Sequence, residues 1–481
     1  MQKLVYNKPI MIKKHKKTKL DNIFAEDVVI IPSKNKGIEL TEDQKVIFEQ
    51  MKDFCTNSDR NKMLITGFAG TGKTTLTTKF VDWFSEGSNH IFSKIAITAP
   101  THKAVKVLKK MTLKHKHSNK IVFSTLHSIL GLRPMIDDNG MQKFKRDKFL
   151  KPSFETFGLV IIDEASMIDN DMFSEIIKQN IFNCKIIFVG DSEQIPPINQ
   201  DLAIPFDEDK RIEYGIEKFS LVNIIRQSKE NPIIIATKKI RDGEFHDIDK
   251  SIVFDETDDK HGVFFISDPL IIKSELKRYF CSDRFTDDSD YAKVIAWRNI
   301  TVDTFNKIIR GFLFGTDIKK IIIGDKLIAD KAIMEDKEVL INTNEDMSVI
   351  KLKEGYKTVE WVSIKYYNVI VECDSGNIPI DILHEDDEDK FKKICDKLAK
   401  EAKNAPMGSA RSRAWKHFYK IVDTFASVKY NYAITAHRAQ GSTYINTFVV
   451  ANDIMINKNS DEKRKILYTA CSRPKEKLFI I

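Results

Sequence analysis

The residues best suited to chemistry stand in a few short runs. The first is Gly67-Phe68-Ala69-Gly70-Thr71-Gly72-Lys73-Thr74, followed by Thr75. Its glycines let successive backbone N–H groups turn toward an anion, and a helix start behind it adds positive partial charge. Lys73 supplies a point charge, and Thr74 offers a hydroxyl to Mg²⁺. Such a run binds nucleotide phosphates. The second run is Asp163-Glu164, directly behind Leu159-Val160-Ile161-Ile162. Phosphoryl transfer needs neutralised charge and in-line positioning, so Asp163 is suited to hold Mg²⁺ beside Thr74 and Glu164 to orient or deprotonate a water. Taken alone, an acidic pair at a strand end is also an ordinary helix start. The third run, Gly190-Asp191-Ser192-Glu193-Gln194-Ile195-Pro196-Pro197, puts a polar sensor, Gln194, at a strand tip. Thr98-Ala99-Pro100-Thr101-His102-Lys103-Ala104 and Ser124-Thr125-Leu126-His127-Ser128 hold hydroxyls and imidazoles suited to phosphates and base faces.

These runs need strands that end where they begin. Short β-branched segments at Met63–Thr66, Ile95–Ala99, Leu159–Ile162 and Ile186–Val189 alternate with helical stretches such as Thr75–Phe84, the pattern of a parallel sheet wound with helices. A second set lies after about residue 206: Val263–Ile266, Val294–Trp297, Phe448–Val450 and Leu478–Ile481. Between its members, residues 326–424 change texture. Alternating strands around Val349, Trp361–Ile364 and Asn368–Val371 predict a small β-barrel. Two amphipathic helices follow, one with Phe391, Ile394, Cys395 and Leu398 on a face, the next with Trp415, Phe418 and Val422.

With 481 residues the chain is multidomain. No apolar run approaches the roughly 20 residues that span a bilayer, so a transmembrane protein is excluded. Met1–Leu20 carries seven lysines and lacks the apolar centre of a secretory signal, so a cytoplasmic location is expected. Six cysteines are scattered without a Cys-x-x-Cys pair, against a disulfide framework or a zinc finger. Residues 1–36 hold nine lysines against Asp21, Glu26 and Asp27, a local charge of +6 within a net +8. Such an arm suits a polyphosphate backbone and equally a solvated tail.

Three later runs complete an ordered set: Leu221-Val222-Asn223-Ile224-Ile225-Arg226-Gln227, Tyr432-Ala433-Ile434-Thr435-Ala436-His437-Arg438-Ala439-Gln440-Gly441-Ser442, and Leu467-Tyr468-Thr469-Ala470-Cys471-Ser472-Arg473. From about residue 38 to the C-terminus the set resembles the superfamily 1B DNA helicases, of the phage-encoded Dda type and similar to RecD. The resemblance implies two RecA-like P-loop domains, ATP with Mg²⁺, and 5′→3′ travel on single-stranded DNA. It places Arg226 and Arg473 across the cleft at the γ-phosphate, beside Gly441, and makes Gln44 an adenine reader. Thr41-Glu42-Asp43-Gln44 is also a good helix capping box.

The resulting expectations are an α/β fold with a basic extension at 1–37, domain 1A at 38–127 and 157–205, and a hairpin insert 1B at 128–156. Domain 2A follows at 206–325 and 425–481, with an SH3-like barrel and helical insert 2B at 326–424. Pro100, Thr101, His102, Thr125, His127, Pro196, His437 and Ser442 are expected along one DNA groove, joined by Asn299 or its neighbour Arg298. Asn139-Gly140 signals a hairpin turn. In related helicases the insert at this place is a strand-separating pin, with Met135, Met141 and Phe144 as the apolar candidates here. Expected partners are single-stranded DNA, duplex/single-strand junctions and single-strand-binding or replication proteins, with no membrane and a monomeric enzyme. The alternative is a DNA-stimulated ATPase translocase that displaces or remodels DNA-bound proteins.

Overall fold

Strands that are apolar on both faces need cover on both faces, and helices supply it here. The computed structural model describes residues 39–56, 59–86, 92, 94–112, 120–136, 142–146, 153–179, 184–223, 231–244, 261–316, 318–335 and 338–481. The basic arm, Met141, the Asn139-Gly140 turn and Arg226 lie outside them. Thr41–Ile481 form one compact unit.

Helix α1 (Glu42–Thr56) leads into β1 (Lys62–Gly67), α2 (Lys73–Glu86), β2 (Ile95–Ala99), α3 (His102–Thr112), β3 (Ile121–Thr125) and the short α4 (Leu126–Ile129). A hairpin, β4 (Leu132–Ile136) and β5 (Gln142–Arg146), precedes β6 (Leu159–Ile162), α5 (Asn170–Gln179), β7 (Lys185–Gly190), α6 (Glu208–Glu213) and β8 (Glu217–Leu221). Among the described residues the first sheet runs β3-β2-β6-β7-β1-β8, all parallel. Every residue of β2 and β6 is buried, as the sequence's unbroken apolar runs predict. Strand β8 pairs with β1, so the first domain continues past residue 205 to include a strand expected in the second.

The second sheet begins after α7 (Pro232–Arg241) with β9 (Gly262–Phe265), α8 (Pro269–Phe280), α9 (Asp283–Asp287), β10 (Ala292–Ala296) and α10 (Asn299–Phe314). The chain then leaves it for β11 (Lys326–Ala329), β12 (Ile333–Glu335), β13 (Glu338–Ile341), β14 (Asp346–Val359), β15 (Val362–Cys373) and β16 (Gly376–Leu383). Two helices follow, α11 (Glu388–Asn404) and α12 (Ser409–Val422), and then β17 (Val428–Tyr430). It returns through β18 (Ala433–Thr435), α13 (Ala436–Ala439), β19 (Tyr444–Val449), α14 (Ala451–Met455), α15 (Ser460–Cys471) and β20 (Pro474–Ile480). The order is β18-β10-β19-β20-β9, again parallel.

The insert is an antiparallel sheet, β16-β15-β14-β11-β17, around Leu327, Val349, Tyr367, Val369 and Ile382. Its last strand, β17, falls beyond residue 424 because β11 needs a partner on its free edge. The segments expected as separate strands at Trp361–Ile364 and Asn368–Val371 belong to one strand, β15, which pairs with β14 from Val359↔Val362 onward. Trp361 sits instead in the turn. Glu360 and Trp361 both have left-handed backbones (φ 48° and 65°), as a tight two-residue turn between twisted strands requires. The Trp361 ring is 96% exposed there.

Candidate nucleotide cleft and nucleic-acid track

The phosphate loop spans the carboxyl end of β1 and the amino end of α2, where a parallel sheet with neighbours on either side binds its ligand. Gly70 and Gly72 take left-handed backbones (φ 82° and 78°) that side chains would strain. A Cβ on Gly67 would lie 2.6 Å from Thr71 Oγ1 and 2.9 Å from Leu221 Cβ, so the loop closes onto β8 only with glycine there. Lys73 Nζ donates to the carbonyls of Gly67 (2.6 Å) and Phe68 (3.1 Å), holding its charge inside the loop's curve. Thr74 follows it on the first turn of α2.

Gln44 is tied into this loop. Its Nε2 donates to Thr71 O at 2.9 Å, and its Oε1 accepts the N–H of Thr41 at 3.0 Å. The side chain is buried, so its amide braces α1 against the phosphate loop. The capping box read from the sequence is visible in that bond from the Thr41 N–H to Gln44 Oε1, and Asp43 adds to it, its Oδ1 taking the Gln44 N–H and its Oδ2 that of Asn223 at 3.0 Å.

Asp163 and Glu164 follow β6. Glu164 has a left-handed backbone (φ 52°), a strained conformation for a residue with a side chain and one that collects at functional sites. Burial and the neighbouring Glu164 push the Asp163 carboxyl up to about 7, with Lys73 opposing. A buried carboxyl short of positive charge, a threonine hydroxyl and a phosphate loop together form a donor set that fits Mg²⁺ shared with phosphate oxygens. The loop after β7 contributes Gln194, which is buried and whose Oε1 has no hydrogen-bond partner among the described residues.

The second sheet closes this cleft from the other side. Gly441 (φ 73°) packs so closely that a Cβ would sit 3.4 Å from Ala104 Cβ, 3.6 Å from Thr101 Oγ1 and 3.7 Å from Glu164 Cγ. Gln440 Nε2 donates to Ile195 O (3.1 Å) and to Ser166 Oγ (3.3 Å). Arg473 is buried. Its Nε donates to Thr469 O (2.8 Å), one terminal nitrogen to Ser442 O (3.3 Å) and the other to Ser472 Oγ (2.8 Å). In this structure the guanidinium is folded into its own domain.

Of the expected DNA-contacting residues, the first-domain set is brought together. Ala99 and Thr125 lie side by side in register at the carboxyl ends of β2 and β3, so the residues that follow them share one edge. Thr101 Oγ1 accepts the Ala104 N–H, and Thr125 Oγ1 accepts that of Ser128 (3.2 and 3.3 Å). Both hydroxyls therefore act as helix caps. His102 is exposed and His127 half-buried. Partial desolvation by the surrounding protein lowers the pKa of His102, His127 and His437, so all three rings are mainly neutral at pH 7 and act by stacking or hydrogen bonding. Pro100 and Pro196 are half-buried, and the exposed Ile198 stands just past Pro196.

The second-domain set does not stay together. Asn299 and His437 follow the carboxyl ends of the neighbouring strands β10 and β18. Ser442 precedes the amino end of β19, is buried, and gives its carbonyl to Arg473, so it belongs to the cleft. Asp453 holds the start of α10. It accepts the backbone N–H groups of Trp297 and Arg298 (2.8 Å each), Arg298 Nε (2.6 Å) and the Thr301 hydroxyl (2.7 Å). Arg298 is thereby anchored, and both it and Asn299 are exposed there.

The hairpin pairs β4 with β5 antiparallel, from Leu132 opposite Arg146 to Ile136 opposite Gln142. Phe144 is 57% exposed, and its ring lies 4.4 Å from that of His127. The apolar pin candidate and the track histidine are thus neighbours. Met135 is in β4, opposite Lys143.

Sequence reasoning passed over Lys103, Asp191, Asp453 and Tyr468, which act through partners distant in the chain. Lys103 Nζ reaches Asp290 and Asp346, each at 3.0 Å, and so joins the first domain to the second and to the barrel.

Comparison with known proteins agrees with this arrangement. Residues 50–200 match the family model described as AAA domain, and residues 430–481 the UvrD-like helicase C-terminal domain. The ATP-dependent DNA helicase dda of Enterobacteria phage T4 is 27% identical over 92% of this chain and 99% of its own length. An uncharacterised protein of Acanthamoeba polyphaga mimivirus is 25% identical over 90% of this chain and 98% of its own. The ATP-dependent RecD2 DNA helicase of Deinococcus radiodurans is 28% identical over 47% of this chain and 27% of its own. A solved structure of two coordinating Pif1 helicases at forked double-stranded DNA shares the fold, with a TM-score of 0.50 and 17% identity over 92% of each chain. With its motifs in order on two facing parallel sheets and a phage relative aligned along nearly its whole length, the chain is a homologue of the superfamily 1B helicases.

Proposed function

We propose that this chain is an ATP-dependent DNA helicase that moves 5′→3′ on single-stranded DNA and separates duplex at a single-strand junction. The observation that carries the reading is the cleft itself. The phosphate loop, Asp163-Glu164 and a buried, unpartnered Gln194 amide oxygen on one domain meet Gly441 and α15 of the other. Nucleotide bound there touches both domains, so its hydrolysis changes their relation.

Lys73 and the first N–H groups of α2 hold the β- and γ-phosphates, the anion preference of any helix N-terminus adding to the lysine charge. Thr74 and Asp163 would hold Mg²⁺, which neutralises phosphate oxygens as the leaving charge develops. Glu164 takes the proton from the attacking water at its carboxylate. Gln194 orients that water or the γ-phosphate through Oε1, an atom that burial penalises until it is paired. Arg473 swings out of its contacts with Thr469, Ser442 and Ser472 to bring fixed charge to the γ-phosphate, and Arg226, which follows β8 in sequence, is its counterpart. Gln44 acts on the nucleotide through Thr71.

The strand crosses the carboxyl edges of both sheets, along Thr101, His102, Thr125 and His127 in the first and His437 and Asn299 in the second, with Pro196 between. Grips on the two domains alternate as the cleft closes and opens. The Phe144 hairpin meets the junction beside His127. The protein acts as a monomer.

The deciding experiment is strand displacement on a duplex with a 5′ single-stranded tail, against a 3′-tailed control. ATP-dependent release from the 5′-tailed substrate alone is expected. Release of a DNA-bound protein block without strand separation would replace this reading with that of a translocase that remodels DNA-bound proteins.

A further inference from the structure

Helix α15 does more than carry Arg473. The Tyr468 hydroxyl oxygen accepts the backbone N–H of Ala69, in the phosphate loop, at 2.9 Å. The same hydroxyl donates its proton to Asp191 Oδ2 at 2.7 Å. The side chain is 1% exposed. Burial, with Asp191 beside it, raises the tyrosine pKa well above its ordinary value, so the proton that reaches Asp191 stays in place at any working pH.

The next residue extends the link. Thr469 Oγ1 accepts the Ile195 N–H at 3.1 Å, and the Thr469 carbonyl accepts Arg473 Nε at 2.8 Å. Asp191 and Ile195 flank Gln194, so one turn of α15 grips the Gln194 loop on both sides while touching the phosphate loop. The bonds to Ala69, Asp191 and Ile195 cross the cleft, and none of the three is available when the domains part. A phenol fits this task because one oxygen accepts and donates at once, on a rigid ring with two rotatable torsions.

We propose that Tyr468 is a positioning residue for ATP hydrolysis. Through its hydroxyl it locks the phosphate loop and the Gln194 loop to the helix that delivers Arg473, so that turnover proceeds only with the cleft shut. This rests on the reading of the cleft as an ATP-hydrolysing site, and it assigns the coupling to a residue that would not touch the nucleotide.

The test is Tyr468→Phe, which removes the oxygen and keeps the ring. DNA-stimulated kcat for ATP should fall at least tenfold, while the affinity for a fluorescent ATP analogue changes less than threefold and the melting temperature stays within about 3 °C. Asp191→Ala should show the same split, and the double variant should be no slower than the slower single one. Wild-type kcat in Tyr468→Phe would overturn the proposal. So would equal losses in kcat and nucleotide binding together with a clearly lowered melting temperature, which mark a merely structural contact. Lys73→Ala is the separate control: if it still hydrolyses ATP, the nucleotide site itself is misassigned and the failure lies with the underlying reading.

Discussion

Replacing Lys103 with methionine should loosen the union of three domains. Lys103 leaves the first turn of α3 and reaches Asp290, just before β10, and Asp346, at the start of the barrel strand β14. Its Nζ also lies 4.8 Å from the centre of the Tyr444 ring. Asp346 is shared: it accepts Asn431 Nδ2 at 2.8 Å, and Asn431 in turn accepts the fully buried Lys293. Against burial, which would lower it, Tyr444, Asp346 and Asp290 raise the Lys103 pKa well above the ordinary lysine value. Against burial, Lys103 and Lys293 lower that of Asp346.

Removing one member of a fully buried pair costs about 3–5 kcal/mol, and a surface pair is worth about 0–1 kcal/mol. Lys103 is 20% exposed, Asp346 28% and Asp290 38%. The Asp290 arm is therefore screened and adds little. The Asp346 arm keeps Lys293 as a second cation, so its carboxylate is not stranded. These considerations put the loss at about 2 kcal/mol, a factor of about 30 in the equilibrium that holds the domains together. At about 2–4 °C per kcal/mol for domains of 150–250 residues, the first calorimetric transition should drop by about 4 °C or more. Asp346→Asn combined with Lys103→Met should cost at least about 1 kcal/mol less than the two singles added. Additivity within about 0.5 kcal/mol would refute the coupling. The pH profile supplies a second check. The raised Lys103 contributes below pH 10.5 and is lost only above it. The lowered Asp346 contributes above pH 3.8 and is lost below it. The difference between wild type and Lys103→Met should therefore be flat from about pH 5 to 7 and change near pH 8, because burial, with Lys103 adding to it, pushes Lys293 down to about 8 and removing Lys103 eases that fall.

Gly441→Ala should cost about 1–2 kcal/mol from its left-handed backbone, with its methyl group in contact with Ala104 across the cleft. Strain at the closed cleft should show as a fall of about tenfold in DNA-stimulated ATPase and a melting temperature lowered by about 2–8 °C, and unchanged turnover would show that the contact is incidental. Glu164→Gln should bind ATP and lose turnover by a factor of about 10² or more; near-normal ATPase would remove Glu164 from its role. His102→Ala should weaken single-strand binding by about 1–3 kcal/mol at matched salt, and the depressed pKa of this ring means that wild-type affinity should not change between pH 7 and 8. Replacing residues 134–144 by a Gly-Ser link should leave translocation intact and abolish strand separation, and unwinding at the parental rate would move the splitting point elsewhere.

Local physics made much of this protein legible in its sequence. A phosphate loop needs glycines at fixed spacing behind a strand, and Gly70 and Gly72 take the left-handed backbones that this need implies. Buried parallel strands need unbroken apolar runs, so β2 and β6 could be placed to the residue. Where several short elements compete, the sequence was weaker. Strand β8 alternates half-buried and exposed residues up to the buried Leu221, and only pairing with β1 assigns it to the first sheet. Trp361 reads as a strand residue by propensity, and the turn that closes β14 onto β15 overrides that preference.

Tertiary structure alone decided what faces what. Ser442 and Asn299 were both expected along the DNA groove, but Ser442 leads into β19 at the amino edge of the sheet and Asn299 follows β10 at the carboxyl edge, so Ser442 is buried against Arg473 and Asn299 is exposed. Gln44 offered a base-reading amide, and the fold used it to hold Thr71. Tyr468 and Asp191 are 277 residues apart, and Lys103 and Asp346 are 243. No local pattern marks such pairs, because their free energy arises only once folding has removed water from between them and fixed both ends at hydrogen-bond distance.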